Sequence, residues 1–371
     1  MLGGVVDTFL RSFSEHGTVV LTIAGLMSLG FAAGRYSNGG EIRKLKAELD
    51  KRKVISQTET AALKDAFEQG ADFWLKRDVK KFPDFDLRRE NFAIPTVVVS
   101  NLKGGVGKTT ITANLAAYFA AKGKRVLILD LDWQGSLANV FNTLRDADSA
   151  LSEINQVFSP DADGSTLLSL IRWGGRIPDD LCYVTTYKSF SDTENQILVQ
   201  WIRGDLPFDA HFLLANVLWT QAVKGRFDVV LIDTPPRMTA GLVNALSCAS
   251  HLIVPTVLDE TSGEAAAAFI QTADKFAQRY NPQLRIAGIV GSLTTRRPSL
   301  TASEERSRTD LVSRVDRLKL RYTGDELVAN VWIPKKAAFA DVAGRSIAYS
   351  SNSEVKLLFD QLAIELKMDK I

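Results

Sequence analysis

The sequence has little cysteine: its 371 residues include only Cys182 and Cys248. These two are far apart and form neither a CxxC pair nor a cluster with histidine, which argues against a disulfide framework or a zinc site. They are expected to be buried thiols in a reducing compartment. The chain also lacks an excess of charge, because the formal net charge is +2. The overall charge therefore indicates neither a nucleic-acid partner nor an acidic one.

The remaining composition is typical of a globular protein, with 46% hydrophobic and 24% charged residues. The length suits one large domain with appendages, or two domains. From residue 94 onward, short apolar runs alternate with helical patterns. This alternation predicts an α/β fold with a mostly parallel sheet flanked by helices.

A glycine-rich loop lies between a predicted strand and a predicted helix. Residues 95–99 are apolar and β-branched, and residues 110–122 have apolar side chains at helical spacing before Gly123. Between them stands Lys-Gly-Gly-Val-Gly-Lys-Thr-Thr, residues 103–110. Backbone N–H groups of such a loop surround phosphate oxygens, and the helix N-terminus favours negative charge. We expect Lys108 to reach the phosphates and Thr109 to bind Mg²⁺.

The loop departs from the ordinary Walker A pattern, which has glycine where this chain has Leu102. It carries an additional lysine, Lys103, instead. In these residues the sequence resembles the ParA/MinD family of deviant Walker ATPases, a group of SIMIBI-class P-loop NTPases. The resemblance implies an ATP-dependent homodimer in which Lys103 reaches the nucleotide of the partner subunit. The alternative is a glycine turn with two unrelated lysines.

Two further strands are predicted to end in acidic residues at the same site. Residues 125–131 form an apolar run that leads to Asp130 and Asp132, and residues 227–233 form one that ends at Asp233 before Thr-Pro-Pro. The second run is a Walker B pattern, whose aspartate holds Mg²⁺. The resemblance assigns to Asp132 the orientation of the attacking water, although position 133 has tryptophan where the family has proline. The alternative for Asp130 and Asp132 is helix capping.

The predicted site is therefore assembled from several segments. The segment Val-Trp-Ile-Pro-Lys-Lys, residues 331–336, resembles the Ile-Pro-Arg segment that lines the adenine pocket in the family, with lysine in place of arginine. ATP and Mg²⁺ are the expected cofactors. The predicted catalytic residues are Lys103, Lys108 and Asp132; the metal ligands are Thr109, Asp130 and Asp233; and the nucleotide contacts are Gly104, Gly105, Val106, Gly107, Lys108, Thr109, Thr110, Pro334, Lys335 and Lys336.

The region from residue 144 to residue 225 has weaker patterns. Helices are expected around residues 166–172, 194–203 and 212–223, and a strand around residues 182–186. The region contains three tryptophans, for which core packing is favoured over a partner surface because large aromatic side chains are mostly buried. They are Trp173, Trp201 and Trp219.

The N-terminal part contains a long apolar run, since residues 17–34 have no charged side chain. A bilayer requires about 20 apolar residues and at least about 17, so this run is predicted to be a transmembrane helix. Positive residues follow it, which implies one crossing of the inner membrane with the ATPase domain in the cytoplasm. A soluble or partner-binding helix and a cleaved signal peptide are the alternatives.

The predicted domain organisation follows from these segments. Residues 1–16 form a short N-terminal segment, and residues 35–93 form a helical stalk followed by an irregular linker over residues 80–89. The ATPase domain then covers residues 94–371.

A cluster of basic residues extends from Arg296 to Arg321, and acidic residues are interspersed in it. Because relatives in the resembled family bind DNA nonspecifically through basic surfaces, this segment is a candidate for phosphate contacts. The alternative is the charged face of a helix whose other face, with Leu311 and Val315, lies in the core.

Together these features predict a membrane-anchored ATP hydrolase that acts as a dimerisation switch, with slow turnover stimulated by an unknown protein activator or cargo. It would recruit or position that partner in DNA partition, complex positioning, envelope assembly or defence. One alternative is a bacterial P-loop tyrosine kinase-like enzyme, although Tyr349 is the only tyrosine in the last forty residues. The others are a nucleotide-binding scaffold without turnover and a nitrogenase-type reductase, which would need paired interface cysteines.

Overall fold

Seven strands form one sheet in the computed structural model, which describes residues 71–75, 79–137, 154–173, 180–186, 188–295, 299–318, 320–324, 326–335, 339 and 347–371. The strands are β1 (Thr96–Val99), β2 (Val126–Asp130), β3 (Leu181–Val184), β4 (Val229–Asp233), β5 (His251–Val257), β6 (Arg285–Thr294) and β7 (Ile333–Pro334). They lie in the order β3-β2-β4-β1-β5-β6-β7, and each is parallel to its neighbours. The predicted parallel α/β sheet is confirmed.

Helices flank this sheet and connect its strands. The α helices are α1 (Ala71–Leu75), α2 (Phe85–Phe92), α3 (Lys108–Ala121), α4 (Gly164–Leu170), α5 (Ser189–Arg203), α6 (Leu213–Leu218), α7 (Gln221–Arg226), α8 (Ala240–Cys248), α9 (Glu260–Tyr280), α10 (Ala302–Asp316), α11 (Ala348–Ser351) and α12 (Ser353–Glu365). Short 3₁₀ helices cover Ile154–Phe158, Ala210–Phe212 and Met368–Lys370.

The central strands place three loops at one edge of the sheet. Strands β1, β2 and β4 are buried along their whole length, as parallel strands covered by helices require. In register, Val99 pairs with Asp233, and Asp130 also pairs with Asp233. The loops that follow these three strands therefore begin side by side, at the carboxyl edge where open α/β sheets bind ligands.

Helix α3 fixes the position of the glycine-rich loop because it is embedded in the core. Ile111, Leu115 and Phe119 are almost completely buried. The side-chain oxygen of Asn114 accepts a hydrogen bond of 2.7 Å from the backbone N–H of Tyr349 at the C-terminal helices. The C-terminal segment thereby packs against the helix that begins at the loop.

The predicted irregular linker over residues 80–89 is wrong in its second half, because Phe85–Phe92 is helix α2. Phe82 and Phe85 are buried at 3% exposure each, and the Phe85 ring lies 4.8 Å from that of Phe212. The Nε of Arg88 donates a hydrogen bond of 3.0 Å to the carbonyl of Trp219. The linker orders because its aromatic side chains complete the core, and such contacts cannot be recognised in a local pattern.

Helix α1 packs on the same part of the domain. The indole ring of Trp74 stacks on that of Trp201, with the centroids 4.9 Å apart and the planes 6° from parallel. The backbone carbonyl of Trp74 accepts a hydrogen bond of 3.0 Å from the hydroxyl of Tyr280. This segment thus packs within the compact unit that extends from residue 62 to residue 371.

The weakly patterned region follows the prediction in part. Trp201 and Trp219 are buried, as expected, whereas Trp173 is 58% exposed and the core prediction for it is wrong. The expected helix over residues 212–223 is broken into α6 and α7. Thr220 causes the break, because its side chain caps α7 by accepting a hydrogen bond from the backbone N–H of Val223.

The predicted single-pass location in the inner membrane is wrong by the helices that the structure describes. Among the described residues, every helix is too short or too polar to cross a bilayer. The longest, α9, has 21 residues but carries charged side chains that include Asp274, Lys275 and Arg279. Residues 17–34 and most of the predicted stalk lie outside the described residues.

Candidate functional site

The glycine-rich loop has the backbone that its sequence predicts. Gly105 and Gly107 have φ angles of +71° and +85°, in the left-handed region that side chains with a Cβ rarely adopt. Gly107 directly precedes α3, and within the described chain no side chain caps the start of this helix. The first N–H groups of α3 therefore point out of its N-terminus toward the loop, where an anion is favoured.

Lys108 lies inside the loop and is only 6% exposed. Its Nζ donates to the carbonyl oxygens of Asn101 at 3.2 Å and Lys103 at 3.0 Å. Burial lowers the pKa of Lys108, while the charges of Asp233 and Asp132 act in the opposite direction. An ammonium group is therefore held beside the loop and close to two carboxylates, at a position where it could also pair with a phosphate.

Thr109 and Asp233 meet at the ends of two different elements, α3 and β4. The Thr109 hydroxyl donates a hydrogen bond of 2.7 Å to Oδ2 of Asp233. The other carboxylate oxygen, Oδ1, is buried and makes no hydrogen bond with any described residue. Burial raises the pKa of Asp233 because a dry site disfavours its charge. An unsatisfied oxygen beside a threonine hydroxyl fits a magnesium ion, which prefers hard oxygen ligands.

Asp130 and Asp132 occupy the loop after β2. Oδ1 of Asp130 accepts a hydrogen bond of 3.0 Å from the backbone N–H of Asp132, and Oδ1 of Asp132 accepts one of 3.0 Å from that of Gln134. Burial raises the pKa of Asp132, against the lowering effects of the Gln134 N–H, Lys108 and Arg237. Asp130 thus shapes the loop, while Asp132 is 7% exposed and lies near the Lys108 amine. The participation of Asp130 in metal binding stays a prediction.

Lys103 contacts its own chain in the structure. Its Nζ donates a hydrogen bond of 2.5 Å to the hydroxyl oxygen of Ser262 and lies 3.8 Å from Oδ1 of Asp259. Asp259 caps the start of α9 by accepting from the backbone N–H of Ser262. The side chain that was predicted to cross to a partner is therefore held by the N-terminal turn of α9.

The predicted adenine segment lies beside the loop through β6. The hydroxyl of Ser292 donates a hydrogen bond of 2.6 Å to the carbonyl of Val106. Two positions further along β6, Thr294 pairs with Pro334 of β7. The backbone N–H of Lys335 donates a hydrogen bond of 2.9 Å to the carbonyl of Thr294. Lys336 lies outside the described residues, so Pro334 and Lys335 are the two whose location near the loop is known.

Three participants near the site could not be found from local patterns. Glu194 comes from α5, Arg237 from the loop after β4 and Ser262 from α9. Oε1 of Glu194 accepts a hydrogen bond of 2.8 Å from the backbone N–H of Gly241. A side chain at position 241 would crowd this contact, because its Cβ would lie 2.9 Å from the same oxygen. Glu194 thereby fixes the start of α8 and the end of the loop that follows Asp233.

The charge of Glu194 makes stability depend on pH in a predictable direction. Burial raises the pKa of Glu194 from its ordinary value of 4.5 to about 7, although the backbone N–H of Gly241 donates a hydrogen bond to it. The folded state therefore holds a proton that the unfolded chain has released. The resulting stabilisation is complete below pH 4.5 and is lost as the pH rises through about 7.

Replacing Glu194 with glutamine is expected to remove this pH dependence while keeping an acceptor for the Gly241 N–H. Between pH 5 and pH 8, the wild type should lose about 2–3 kcal/mol of unfolding free energy relative to Glu194→Gln. Urea titrations at both pH values measure the difference. Glu260→Gln, at an exposed position, should follow the wild type, and parallel pH profiles for wild type and Glu194→Gln would contradict the assignment.

The basic segment is partly neutralised where the structure describes it. Arg314 forms an ion pair of 3.0 Å with Glu264, and Arg308 lies 3.6 Å from Glu326. Leu311 and Val315 are buried, which agrees with the predicted core face of α10. Arg296, Arg297 and Lys319 lie outside the described residues, and DNA binding stays a prediction.

Known proteins are similar to this chain in sequence and in fold. An uncharacterized protein of Mycobacterium tuberculosis is 29% identical over 294 residues, which cover 78% of this chain and 84% of that protein. The chromosome-partitioning ATPase Soj of Treponema pallidum is 26% identical over 260 residues, which cover 69% of this chain and 89% of Soj.

Solved structures extend the comparison. Cobyrinic acid a,c-diamide synthase from Mycobacterium smegmatis, solved with an ATP analog and magnesium, has a TM-score of 0.51 at 25% identity and covers 69% of this chain and 93% of its own. These bound groups agree with the predicted cofactors, ATP and Mg²⁺. An ATP complex of a Cyanothece McdA variant has a TM-score of 0.59 at 13% identity, covers 75% and 98%, and shows the shared fold. The model of the AAA domain family matches residues 94–286, more than half of the chain, so the protein belongs to this family, and its relatives include ParA-type ATPases.

Proposed function

We propose that the chain hydrolyses ATP and acts as an ATP-dependent dimerisation switch that positions a partner protein or cargo. The observation that carries the proposal is the unsatisfied Oδ1 of Asp233, buried beside the Thr109 hydroxyl at the end of the glycine-rich loop. This pair matches the P-loop arrangement in which a threonine and a Walker B aspartate hold Mg²⁺.

Each of the other residues has a role that its position supports. Lys108 and the backbone N–H groups of residues 104–110 would hold the phosphate oxygens of ATP, and Asp132 would orient the attacking water. Bound Mg²⁺ supplies charge neutralisation at the phosphates. Such a reaction needs positioning and electrostatic stabilisation rather than a covalent residue.

Lys103 would link hydrolysis to dimerisation. Its contact with Ser262 holds the amine on its own subunit, and in a dimer the same amine would reach the nucleotide of the partner subunit. A reaction that requires this exchange is slow in the isolated chain, and a partner that stabilises the dimer would accelerate it.

The tyrosine kinase alternative is disfavoured by the environment of Tyr349. This residue is 3% exposed, and its hydroxyl donates a hydrogen bond of 2.9 Å to Oδ1 of Asp360. A buried hydroxyl that already has an acceptor is a poor target for phosphoryl transfer. The cysteines offer no support for the reductase alternative, since Cys182 and Cys248 are both buried and unpaired.

The Lys103→Ala variant tests the switch. It is expected to bind ATP within about three-fold of the wild type, because Lys108 and the loop backbone are retained, but to lose ATP-dependent dimerisation and turnover. Light scattering with Mg²⁺-ATP and a phosphate-release assay measure these two losses. Lys275→Ala on the exposed side of α9 is the control, and a Lys103→Ala chain that dimerises like the wild type would reject the switch.

A further inference from the structure

Two loops of the site are joined by a contact between Trp133 and Arg237. Trp133 follows Asp132 in the loop after β2, and Arg237 lies in the loop after β4. The guanidinium carbon of Arg237 lies 5.3 Å from the centroid of the Trp133 ring. Because β2 and β4 are neighbours in the sheet, this cation–π contact connects the loop that carries Asp132 with the loop that begins at Asp233.

The Trp133 ring faces this guanidinium and makes no hydrogen bond with a described residue. Its Nε1 is buried, and no described residue accepts a hydrogen bond from it. A buried indole usually finds an acceptor for its N–H group. Packing and the facing guanidinium are therefore what orient the ring, and the ring is the direct neighbour of Asp132 along the chain.

The loop that carries Arg237 is fixed at both ends. At its start, the Thr234 hydroxyl donates a hydrogen bond of 3.0 Å to the carbonyl of Val99. At its end, the Gly241 N–H is bound by Glu194. Arg237 is exposed in the middle, and its guanidinium faces the Trp133 ring.

The charge of Arg237 also acts on the acidic residues of the site. Its guanidinium is close enough to interact electrostatically with Asp132. It interacts in the same way with Glu194. A cation held at this point thus affects the carboxylate that the proposed function assigns to the attacking water.

We infer that Arg237 is a positioning residue that acts through Trp133 to hold the Asp132 loop in the geometry for hydrolysis. The inference rests on the proposed ATPase function and adds a residue pair to it. Neither residue belongs to the glycine-rich loop that would bind the phosphates, so removal of the pair should lower kcat while leaving KM for ATP nearly unchanged.

A double-mutant cycle on the full chain tests this coupling. Arg237→Ala and Trp133→Leu are each expected to lower kcat about ten-fold, since small misplacements of catalytic groups have large effects on rate. If the two residues act as one unit, the double variant should also lose about ten-fold rather than about 100-fold. Arg237→Lys and Trp133→Phe preserve a cation and an aromatic face and should retain most of the rate.

Arg226→Ala provides a matched control, because Arg226 lies 5.6 Å from the ring of the exposed Trp173, away from the site. It should turn over ATP like the wild type, and thermal unfolding should show all variants folded. An unchanged kcat in Arg237→Ala, a multiplicative double variant, or a change confined to KM would overturn the inference alone. A wild-type chain without ATP turnover would instead overturn the proposed function, and this inference with it.

Discussion

Replacing Lys108 with alanine is expected to weaken ATP binding by at least about 100-fold, since truncating one partner of a buried charged pair costs roughly 2–5 kcal/mol. The amine is buried between the carbonyls of Asn101 and Lys103 and faces two carboxylates. Without it, the negative charges of Asp132 and Asp233 would repel the phosphates. Calorimetric titration of ATP with Mg²⁺ measures the loss.

The control for this variant must separate nucleotide binding from folding. Lys356→Ala removes an exposed lysine of α12 and should bind ATP like the wild type. Thermal unfolding should show that Lys108→Ala is folded, because α3 remains embedded through Ile111, Leu115 and Phe119. Wild-type affinity in a folded Lys108→Ala chain would mean that the glycine-rich loop is not the nucleotide site.

The second large effect is expected at Asp132. Asp132→Ala should bind ATP normally but lower kcat by at least about 100-fold, which is the usual contribution of a side chain that activates a reacting group. Since hydrolysis would be needed to release the dimer, the variant should accumulate as a dimer in ATP. Phosphate release and size-exclusion chromatography with ATP measure these effects.

Asp132→Asn separates the carboxylate from the shape of the loop. Asparagine retains an oxygen that can accept the N–H of Gln134, the contact that Oδ1 makes in the wild type, but it carries no negative charge. Both variants should therefore be equally slow if the carboxylate orients water. A fast Asp132→Asn would assign the loss in Asp132→Ala to loop shape, and an Asp132→Ala chain that stays monomeric in ATP would contradict the switch.

The trapped dimer also offers a route to the biological partner. A dimer that persists in ATP should hold the partner long enough for co-purification, whereas Lys103→Ala, which is expected to stay monomeric, should not retain it. Proteins captured by the first variant and absent from the second would be candidates for the cargo.

Local patterns were sufficient wherever an element is encoded by neighbouring residues. The β-branched run before the loop forms β1, the spaced apolar residues after it form α3, and the runs that end at Asp130 and Asp233 form β2 and β4. The same approach failed for Trp173 and for the second half of the linker. Whether an aromatic side chain is buried depends on what packs against it, and the partners of Phe82 and Phe85 include Trp219 and Phe212, which lie more than a hundred positions away.

By itself, the sequence determined the conformation of the glycine-rich loop and predicted its phosphate-binding chemistry, because Gly105, Gly107, Lys108 and Thr109 are close together in the chain and their predicted roles depend on local backbone conformation. It also predicted the parallel sheet that aligns Asp130 with Asp233. Only the tertiary structure showed that Lys103 is held by Ser262, that Glu194 anchors the loop after Asp233, and that Arg237 faces Trp133. These contacts join residues far apart in the chain, and the register of strands and the packing of helices, rather than any local periodicity, bring them together.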